Sequence, residues 1–524
     1  MKKFIIVSSL AAILCSTVFS ADFGYGMKEF LNRGNSEKTR VFVTFKEPAF
    51  LSSDNYLKDL KEKALISQKD FLEKYSQRNN VNSFWSANAV VIDADKELIE
   101  EISLRKDVDK IFVNPEMKFF DEISYKAVDN SNGSVYALKS MNVIRAWEDF
   151  GIKGQNTISG VVDSGLNKNL DVFKGKLIQA KNFAGDINDV TDKSGHGTHV
   201  SGTVVGGEVS DDLYDLIWGM YWQKAGTFKG NIGVAPEAKL LFSKCSQDNG
   251  NITFEDILEG LEWMADPDND ANTKDGARVI NASLGADVSI PELRQPLINI
   301  QKTGVFLCFA AGNSGKICGS PADFPEIFAV GAVDASDRKA SFSSIGPVNF
   351  DGKDHIKPDV CAPGVKVVSY YGDKLAGVDG TSMASPNTAG VITLIYSADP
   401  SLTVDEVKDI LKKSALDLGE KGADNLYGHG RVDAYKALSL VTGKNEFKAD
   451  VYQFDSMRNA ILENLKYADG SESFEKMYNN ASASLNLLVD SIVEKAHKNR
   501  ENLAILNEIA ADGVDLFIIF EKLD

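Results

Sequence analysis

A series of short apolar runs, separated by helical stretches, constrains the fold of this chain most strongly. Each run is rich in β-branched or aromatic residues and is bounded by Gly, Asp or Asn, as strands buried on both faces of a parallel sheet are. The runs cover residues 158–162, 240–242, 277–281, 305–309 and 327–330. Between about residues 137 and 443 they predict an α/β sheet with helices on both faces.

The segments on either side of this region have different patterns. In residues 38–120, strand-like runs at 41–45, 89–92 and 108–113 alternate with helical stretches at 56–75 and 97–104, which predicts a small α+β domain. A polar, turn-rich linker suited to proteolysis follows at about 121–136. Residues 444–524 carry helically spaced apolar residues and predict a small helical region, whose role the sequence does not indicate.

The N-terminus has the outline of a secretory signal peptide. Lys2 and Lys3 precede an apolar run over residues 4–19, and the small Ser20 stands before a cleavage point at Ala21. The run is shorter than the roughly 20 residues that span a bilayer, and no later run reaches that length. We therefore expect a secreted protein, periplasmic or extracellular, without a stable membrane anchor.

Charge and cysteine usage narrow the function classes. The net charge of −18 argues against nucleic acid, because an acidic surface repels phosphate backbones. Beyond the signal peptide, Cys245, Cys308, Cys318 and Cys361 could form disulfides in an exported protein, and their pairing stays open. Cys308 lies in an apolar run, so a reduced core thiol is as plausible there as a bridge.

Asp163 and His196 are the first candidates for chemistry. Asp163 ends an apolar strand, and the carboxyl ends of parallel strands are where ligands and catalytic groups collect, although such an aspartate is more often a turn or cap. A helix that starts near His196 would place its imidazole at an exposed mouth, and Gly197 and Gly202 would allow close packing. His196 and His199 could instead bind a metal, but no third ligand accompanies them.

Ser382 and Asn313 are the other two candidates. Ser382 lies in the motif 380–386, which comes directly before a helical run at 387–396. Its hydroxyl and N–H would feel the positive end of that helix; a simple N-cap serine is the alternative. Asn313 follows the strand through Cys308, where its amide could donate to developing negative charge. A loop asparagine with positive φ is the alternative.

The order Asp, His, Asn, Ser is the order of these elements in subtilisin, and the sequence resembles the subtilisin-like serine proteases, or subtilases, over about 300 residues. The resemblance rests on the residues around each candidate, at 161–165, 195–199 and 380–386. Residues 280–285 are similar to the strand that lines the substrate cleft in that family. Connecting elements at 233–236 and 329–334, and the end of the catalytic domain at 427–433, also match.

The resemblance implies a subtilisin-like three-layer α/β fold with a mostly parallel central sheet. A small α+β inhibitory prodomain would precede it, and a small helical C-terminal region would follow. The domains expected are a signal peptide at 1–20, prodomain and linker at 21–125, catalytic domain at 126–443 and extension at 444–524.

The resemblance also assigns roles. Ser382 would be the nucleophile, His196 the base, Asp163 its orienting partner, and Asn313 with the Ser382 N–H the oxyanion donors. Ser283, Leu284 and Gly285 would pair with an extended peptide. Gly312 and Gly319 would border the pocket for the residue before the cut, with no acidic residue evident at its floor. We expect a monomeric, self-processing endopeptidase of broad specificity that prefers apolar residues there, is inhibited by its own prodomain and needs no cofactor for its chemistry.

Two questions stay open at this level. Residues 206–230 lengthen the segment where some subtilases place a calcium loop, so calcium ligands cannot be carried over there, and metal ligands stay unassigned. The loop with Asp266, Asp268, Asp270, Asn272 and Asp275 could hold structural calcium, but a solvated loop fits better because an EF-hand glycine and closing glutamate are missing. Two rival functions stay open. The chain could be a catalytically silent binding protein that uses the aromatic residues of 206–230, or it could be an esterase.

Overall fold

The computed structural model describes residues 21–33, 37–47, 55–77, 80–120, 135–217 and 221–444. The expected signal peptide, almost all of the expected linker and the expected C-terminal helical region lie outside these residues. The chain divides into two compact units, one comprising residues up to 52 and 60–114, the other comprising residues 53–59 and 115–524. Each is described by itself.

The first unit is built on a five-stranded sheet with strand order β1-β5-β2-β4-β3. In chain order, the elements of this region are β1 Asp22–Phe23, α1 Met27–Leu31, β2 Thr39–Phe45, α2 Tyr56–Tyr75, β3 Val81–Phe84, β4 Ala89–Ala94, α3 Lys96–Ser103 and β5 Val108–Val113. Apolar side chains of β2, β4 and β5 are buried in one core with Phe71 and Ile99. The structure therefore has the strands and both long helices that the sequence predicts for this region.

A seven-stranded parallel sheet forms the centre of the second unit, with strand order β19-β16-β15-β13-β7-β11-β8. Its strands are β7 Ile158–Asp163, β8 Leu177–Asn182, β11 Lys239–Lys244, β13 Val279–Ala282, β15 Phe306–Ala310, β16 Phe328–Val333 and β19 Val360–Pro363. All residues of the four strands β13, β15, β16 and β19 are buried, which explains why they are apolar without alternation.

Helices surround this sheet. They are α4 Tyr136–Ser140, α5 Val143–Phe150, α6 His196–Val205, α7 Phe254–Ala265, α8 Arg294–Lys302, α9 Thr381–Ala398, α10 Val404–Ser414 and α11 Ala434–Thr442. The long helix α9 packs along β13, β15, β16 and β19, whereas α7 packs on β7 and β11. The expected three-layer α/β fold with a mostly parallel sheet is confirmed. Among the described residues, no helix is both long and apolar enough to cross a membrane.

Smaller strands complete the second unit. They are β6 Glu116–Phe119, β9 Glu208–Ile217, β10 Tyr221–Asn231, β12 Ile252–Thr253, β14 Leu284–Gly285, β17 Val348–Phe350, β18 Lys353–His355, β20 Val367–Tyr371 and β21 Lys374–Val378. The lengthened segment 206–230 is a β-hairpin of β9 and β10, joined to β21 by parallel pairing of Leu213 with Leu375. The segment is part of a four-stranded sheet with strand order β10-β9-β21-β20. Its side chains Val209, Leu213 and Phe228 are buried.

The four cysteines of the second unit are unpaired thiols. Cys245, Cys308, Cys318 and Cys361 are all buried, and burial raises the pKa of the Cys308 and Cys318 thiols to about 12. The reduced core thiol considered for Cys308 is therefore what the structure contains. Protonated, buried thiols pack as small apolar groups.

Candidate active site

Asp163 and His196 form a buried pair at the carboxyl edge of the sheet. Asp163 is the last residue of β7, His196 is the first residue of α6, and the distance from Asp163 Oδ1 to His196 Nδ1 is 2.6 Å. Burial raises the pKa of Asp163, and the contact with His196 offsets part of that rise. Because an ionised carboxylate only accepts hydrogen bonds, Nδ1 carries a proton and Nε2 is the basic nitrogen.

Asp192 ties the loops that carry this pair. Its Oδ1 accepts from the Ser164 hydroxyl at 2.9 Å and from the Gly195 N–H at 2.8 Å, and its Oδ2 accepts from Thr198. The approach of the two loops also requires a glycine, since a Cβ at Gly197 would lie 2.3 Å from a backbone oxygen. Sequence reasoning missed Asp192, whose available signal was an acidic residue four positions before His196.

Ser382 lies in the first turn of α9, which begins six residues before the expected run. The fourth residue beyond it is Pro386, which has no N–H, so the Ser382 carbonyl lacks its usual partner within the helix. The Ser283 hydroxyl donates to this carbonyl at 2.9 Å, and the Ser382 hydroxyl donates to the Ser283 carbonyl at 3.3 Å. Ser382 is thus fixed to the strand region that ends in β14.

The end of β13 is joined to α9 by further buried hydrogen bonds. Asn281 Nδ2 donates to the Ser283 hydroxyl at 3.0 Å, and the Ser385 hydroxyl donates to Asn281 Oδ1 at 2.7 Å. These groups are fully buried, where hydrogen bonds cannot be exchanged for water. Two sets of buried hydrogen bonds therefore fix Ser382 relative to the sheet, one through Ser283 and one through Ser385.

Asn313 follows β15 and is oriented by the residue next to the nucleophile candidate. Its Oδ1 accepts from the Thr381 N–H at 2.9 Å and from the Thr381 hydroxyl at 2.7 Å. With the amide oxygen held there, the Nδ2 group faces Gly380, where a Cβ would lie 3.2 Å from it. The amide nitrogen is a hydrogen-bond donor beside the start of α9, where positive partial charge is concentrated.

Strand β6 lies between β14 and β12 and covers the pair. It runs antiparallel to both, with Phe119 opposite Leu284 and Met117 opposite Ile252. The Phe119 ring lies 5.0 Å from the imidazole of His196, measured between ring centroids. The expectation that His196 occupies an exposed mouth is wrong for this structure: the residue is 2% exposed, because Phe119 covers its ring.

Phe120 occupies the space beside two of the glycines singled out from the sequence. Its ring lies so close to Gly285 that a Cβ there would be 2.7 Å from it, and a Cβ at Gly312 would be 3.5 Å from it. Phe120 is 5% exposed. Gly319 contributes differently, since a Cβ there would lie 2.1 Å from the carbonyl oxygen of Ala286. Gly319 thus allows the backbone of the cleft wall to pass close by.

Comparison with known proteins identifies the family. The model of the subtilase family matches residues 154–430. The chain belongs to the subtilase family. Curated relatives include bacillopeptidase F of Bacillus subtilis (strain 168), 29% identical over 473 residues, and subtilisin DY of Bacillus licheniformis, 33% identical over 293 residues. Serine protease AprX of Bacillus subtilis (strain 168) is 31% identical over 404 residues.

The coverage of these relatives differs. The alignments take in 82%, 55% and 71% of this chain, and 31%, 92% and 83% of bacillopeptidase F, subtilisin DY and AprX respectively. This subtilase thus spans less than a third of bacillopeptidase F but most of the other two. Family membership makes it a hydrolase of the serine endopeptidase class.

His199 is the second histidine of the subtilase motif and is structural. Its Nε2 lies 2.9 Å from the Val367 carbonyl oxygen, and burial lowers its pKa to about 3. The ring is therefore neutral, and Nε2 donates to that oxygen, which joins α6 to β20. The carbonyl contact and the pKa favour this role over the metal site that the spacing of His196 and His199 could suggest.

The acidic loop brings three carboxylates together. One oxygen from each of Asp266, Asp268 and Asp275 lies within 4.8 Å of the others, so these are the described residues that could hold a cation. The Thr273 hydroxyl donates to Asp268 at 3.1 Å and to Asp275 at 3.0 Å. Hydrogen bonds within the loop thus account for part of its shape. The sequence favours a solvated loop over structural calcium here, and that preference remains a prediction.

Proposed function

We propose that this subtilase is a secreted serine endopeptidase in which Asp163, His196 and Ser382 form the catalytic triad. The observation that carries the proposal is the buried 2.6 Å contact between Asp163 and His196. Phe119, which lies on the His196 ring, pairs with Leu284, and the neighbouring Ser283 is hydrogen-bonded to Ser382. These contacts support the assignment because they connect His196 and Ser382 to neighbouring residues of one strand region.

In the proposed mechanism, Ser382 Oγ attacks the carbonyl carbon of the cleaved peptide bond while His196 Nε2 takes the hydroxyl proton. Asp163 orients the imidazole and stabilises its cationic form. His196 then gives the proton to the leaving amine, and an acyl-enzyme remains on Ser382. A water molecule, deprotonated by His196, hydrolyses that ester and restores the serine.

Negative charge on the carbonyl oxygen needs donors that are already in place. Asn313 Nδ2 and the backbone N–H of Ser382 are the donors in this proposal. Thr381 supports the assignment because it fixes the amide oxygen of Asn313 through two hydrogen bonds. Fixed donors do not have to reorganise as charge develops, so they stabilise the transition state more than the substrate. The chemistry requires no cofactor.

Peptide substrates would bind as an added strand. The antiparallel pairing of β6 with Leu284 and Gly285 supports this mode, since main-chain hydrogen bonds accept many sequences. The enclosed Phe120 ring supports a preference for apolar or aromatic side chains before the cut. Polypeptides are thus the substrates, with broad specificity outside that pocket. A monomer is sufficient for this function.

The chain would be made as a zymogen that cuts itself after Phe120. Residues 21–120, including the α+β unit, would then be an inhibitory prodomain and residues 121–443 the catalytic domain, a boundary five residues before the expected one after 125. The pairing of β6 with the proposed substrate-binding strand supports this cut, because Phe120 lies where the residue before the cut would lie. Export follows from the expected signal peptide, and one relative is named minor extracellular protease Epr.

Maturation of the purified full-length chain tests this proposal. Wild-type protein should convert to a form whose N-terminus is Asp121, identified by N-terminal sequencing, whereas Ser382→Ala should stay intact. Ser401→Ala, which removes an exposed serine, is the matched control and should mature like wild type. Maturation of purified Ser382→Ala to the same N-terminus would contradict the proposal, as would a wild-type chain that neither matures nor digests denatured protein.

A further inference from the structure

Lys118 is the third residue before the proposed cut and forms an ion pair. Its Nζ lies 2.6 Å from Asp287 Oδ2. The neighbouring side chains are engaged otherwise: Met117 on β6 and Phe120 directly after it are buried, and Phe119 lies on the His196 ring. Lys118 instead points toward solvent, with its side chain 46% exposed. A side chain at this third position therefore contacts the rim of the cleft, which is formed here by Asp287.

The backbone that carries Asp287 is fixed by the second unit itself. The Ala286 N–H donates to the Ser320 carbonyl at 2.8 Å, and the Ser320 N–H donates to the Val288 carbonyl at 3.0 Å. Gly319 lets the two segments approach, since a Cβ there would lie 2.8 Å from the carbonyl carbon of Asp287. None of these contacts involves β6, so the backbone of Asp287 keeps its place, and its half-exposed carboxylate stays at this edge of the cleft, whatever peptide occupies the cleft.

We propose that Asp287 makes this enzyme favour Lys or Arg as the third residue before the cut. This inference rests on the proposed function, because it requires that peptide substrates take the position of β6. A carboxylate carried by a fixed backbone at this edge of the cleft attracts a cationic side chain in that position and repels an acidic one. The enzyme would then read two features together, an apolar side chain before the cut and a positive charge at the third position.

The size of the preference follows from exposure. Both side chains are about half exposed, so solvent screens their attraction, and Asp287 should favour Lys over an uncharged residue by about two- to fivefold in kcat/KM. Comparing Lys with Glu adds repulsion to attraction, so that contrast should be about tenfold at low salt. Because the Debye length falls to about 3 Å at 1 M salt, the contrast should then shrink toward unity.

Three quenched fluorescent peptides with the mature enzyme test this inference. They carry Met-Lys-Phe-Phe, Met-Ala-Phe-Phe or Met-Glu-Phe-Phe before the cut and are otherwise identical. Wild type should cleave the Lys peptide about tenfold faster than the Glu peptide in kcat/KM. Asp287→Asn should bring the ratio near one, and Asp287→Lys should invert it. Glu420→Gln, an exposed charge change elsewhere, should leave the ratio at the wild-type value.

The Ala peptide separates the two levels of the proposal. If all variants cleave the Ala peptide equally and the Lys-to-Glu ratio does not change with Asp287, the charge preference is overturned while the endopeptidase stands. If wild type cleaves none of the peptides, the proposed function fails, and this inference fails with it. A ratio that inverts in Asp287→Lys at low salt, and collapses at 1 M salt, supports the inference.

Discussion

A single carboxylate oxygen of Asp192 accepts two hydrogen bonds from Thr198, one from its N–H at 2.9 Å and one from its hydroxyl at 2.6 Å. The other oxygen accepts from the Ser164 hydroxyl at 2.9 Å, on the loop that follows Asp163. Asp192 therefore joins the end of β7 to the first turn of α6. We expect this connection to help set the distance between Asp163 and His196.

Asp192→Asn should lower kcat by about tenfold and leave KM nearly unchanged, because the amide has one accepting oxygen where the carboxylate has two. Loss of a nearby negative charge also makes protonation of the Asp163–His196 pair less favourable, so the acid limb of the kcat/KM profile should move to lower pH. Steady-state kinetics across pH measure both effects. Asp248→Asn, an exposed change of equal charge, serves as the control.

If Asp192→Asn lowers kcat without moving the acid limb of the pH profile, the carboxylate acts only by positioning the two loops through its hydrogen bonds and not through its charge. If neither quantity differs from wild type and from Asp248→Asn, the carboxylate does not position the pair.

His199 should make stability depend on pH. Its pKa is about 3 in the folded chain against an ordinary value of 6.5, because burial disfavours the charged ring. The unfolded chain therefore binds more protons between these values, and the stability from neutral His199 is present above pH 6.5 and lost as pH falls toward 3. The free energy of unfolding should fall by about 1.4 kcal/mol per pH unit from this group in the lower part of that range.

Denaturant unfolding of full-length Ser382→Ala, with and without His199→Gln, measures this slope without self-digestion. Gln can still donate toward Val367 but does not titrate, so the double variant should show the shallower dependence on pH. Equal slopes in the two chains would show that His199 contributes nothing to acid sensitivity.

Ser283 and Pro386 should behave as a coupled pair. Ser283→Ala leaves the buried Ser382 carbonyl without its hydroxyl donor, which should cost about 1–3 kcal/mol of stability. Pro386→Ala supplies a backbone N–H four residues after Ser382, so the double variant should regain part of that loss. Unfolding of the four chains in the Ser382→Ala background gives the coupling free energy. Strictly additive effects would contradict the assignment of this carbonyl.

Much of the fold could be predicted from local patterns. The helix Tyr56–Tyr75 and the strand Val108–Val113 have the predicted bounds because their periodicity is uninterrupted. The parallel strands were recognisable because burial on both faces leaves them apolar. The hairpin of β9 and β10 could not be recognised in this way. Its sequence is polar and rich in aromatic residues, and its strand conformation depends on pairing with residues far along the chain.

The candidate site also contains residues that the sequence pattern indicates and residues that it does not. Asp163, His196, Asn313 and Ser382 could be singled out as candidates because each lies at or near the end of a regular element inside a specific motif, and their catalytic roles remain proposals. Asp192 and Asp287 lie in polar loops, where an aspartate usually has a local turn role. Their contacts with Thr198 and Lys118 depend on tertiary structure. For Asp192 the sequence offers only its position four residues before His196, and neither contact follows from the local pattern.

Serine labelling of the mature enzyme tests the central claim most directly. A fluorophosphonate should add one label per chain, and peptide mapping should find it on Ser382, because only an activated hydroxyl reacts rapidly. Labelling of Asp163→Asn, matured in trans by wild-type enzyme that is then removed, should be slower by orders of magnitude, since the imidazole loses the partner that orients it. A label on a different serine, or equal labelling rates in wild type and Asp163→Asn, would contradict the triad.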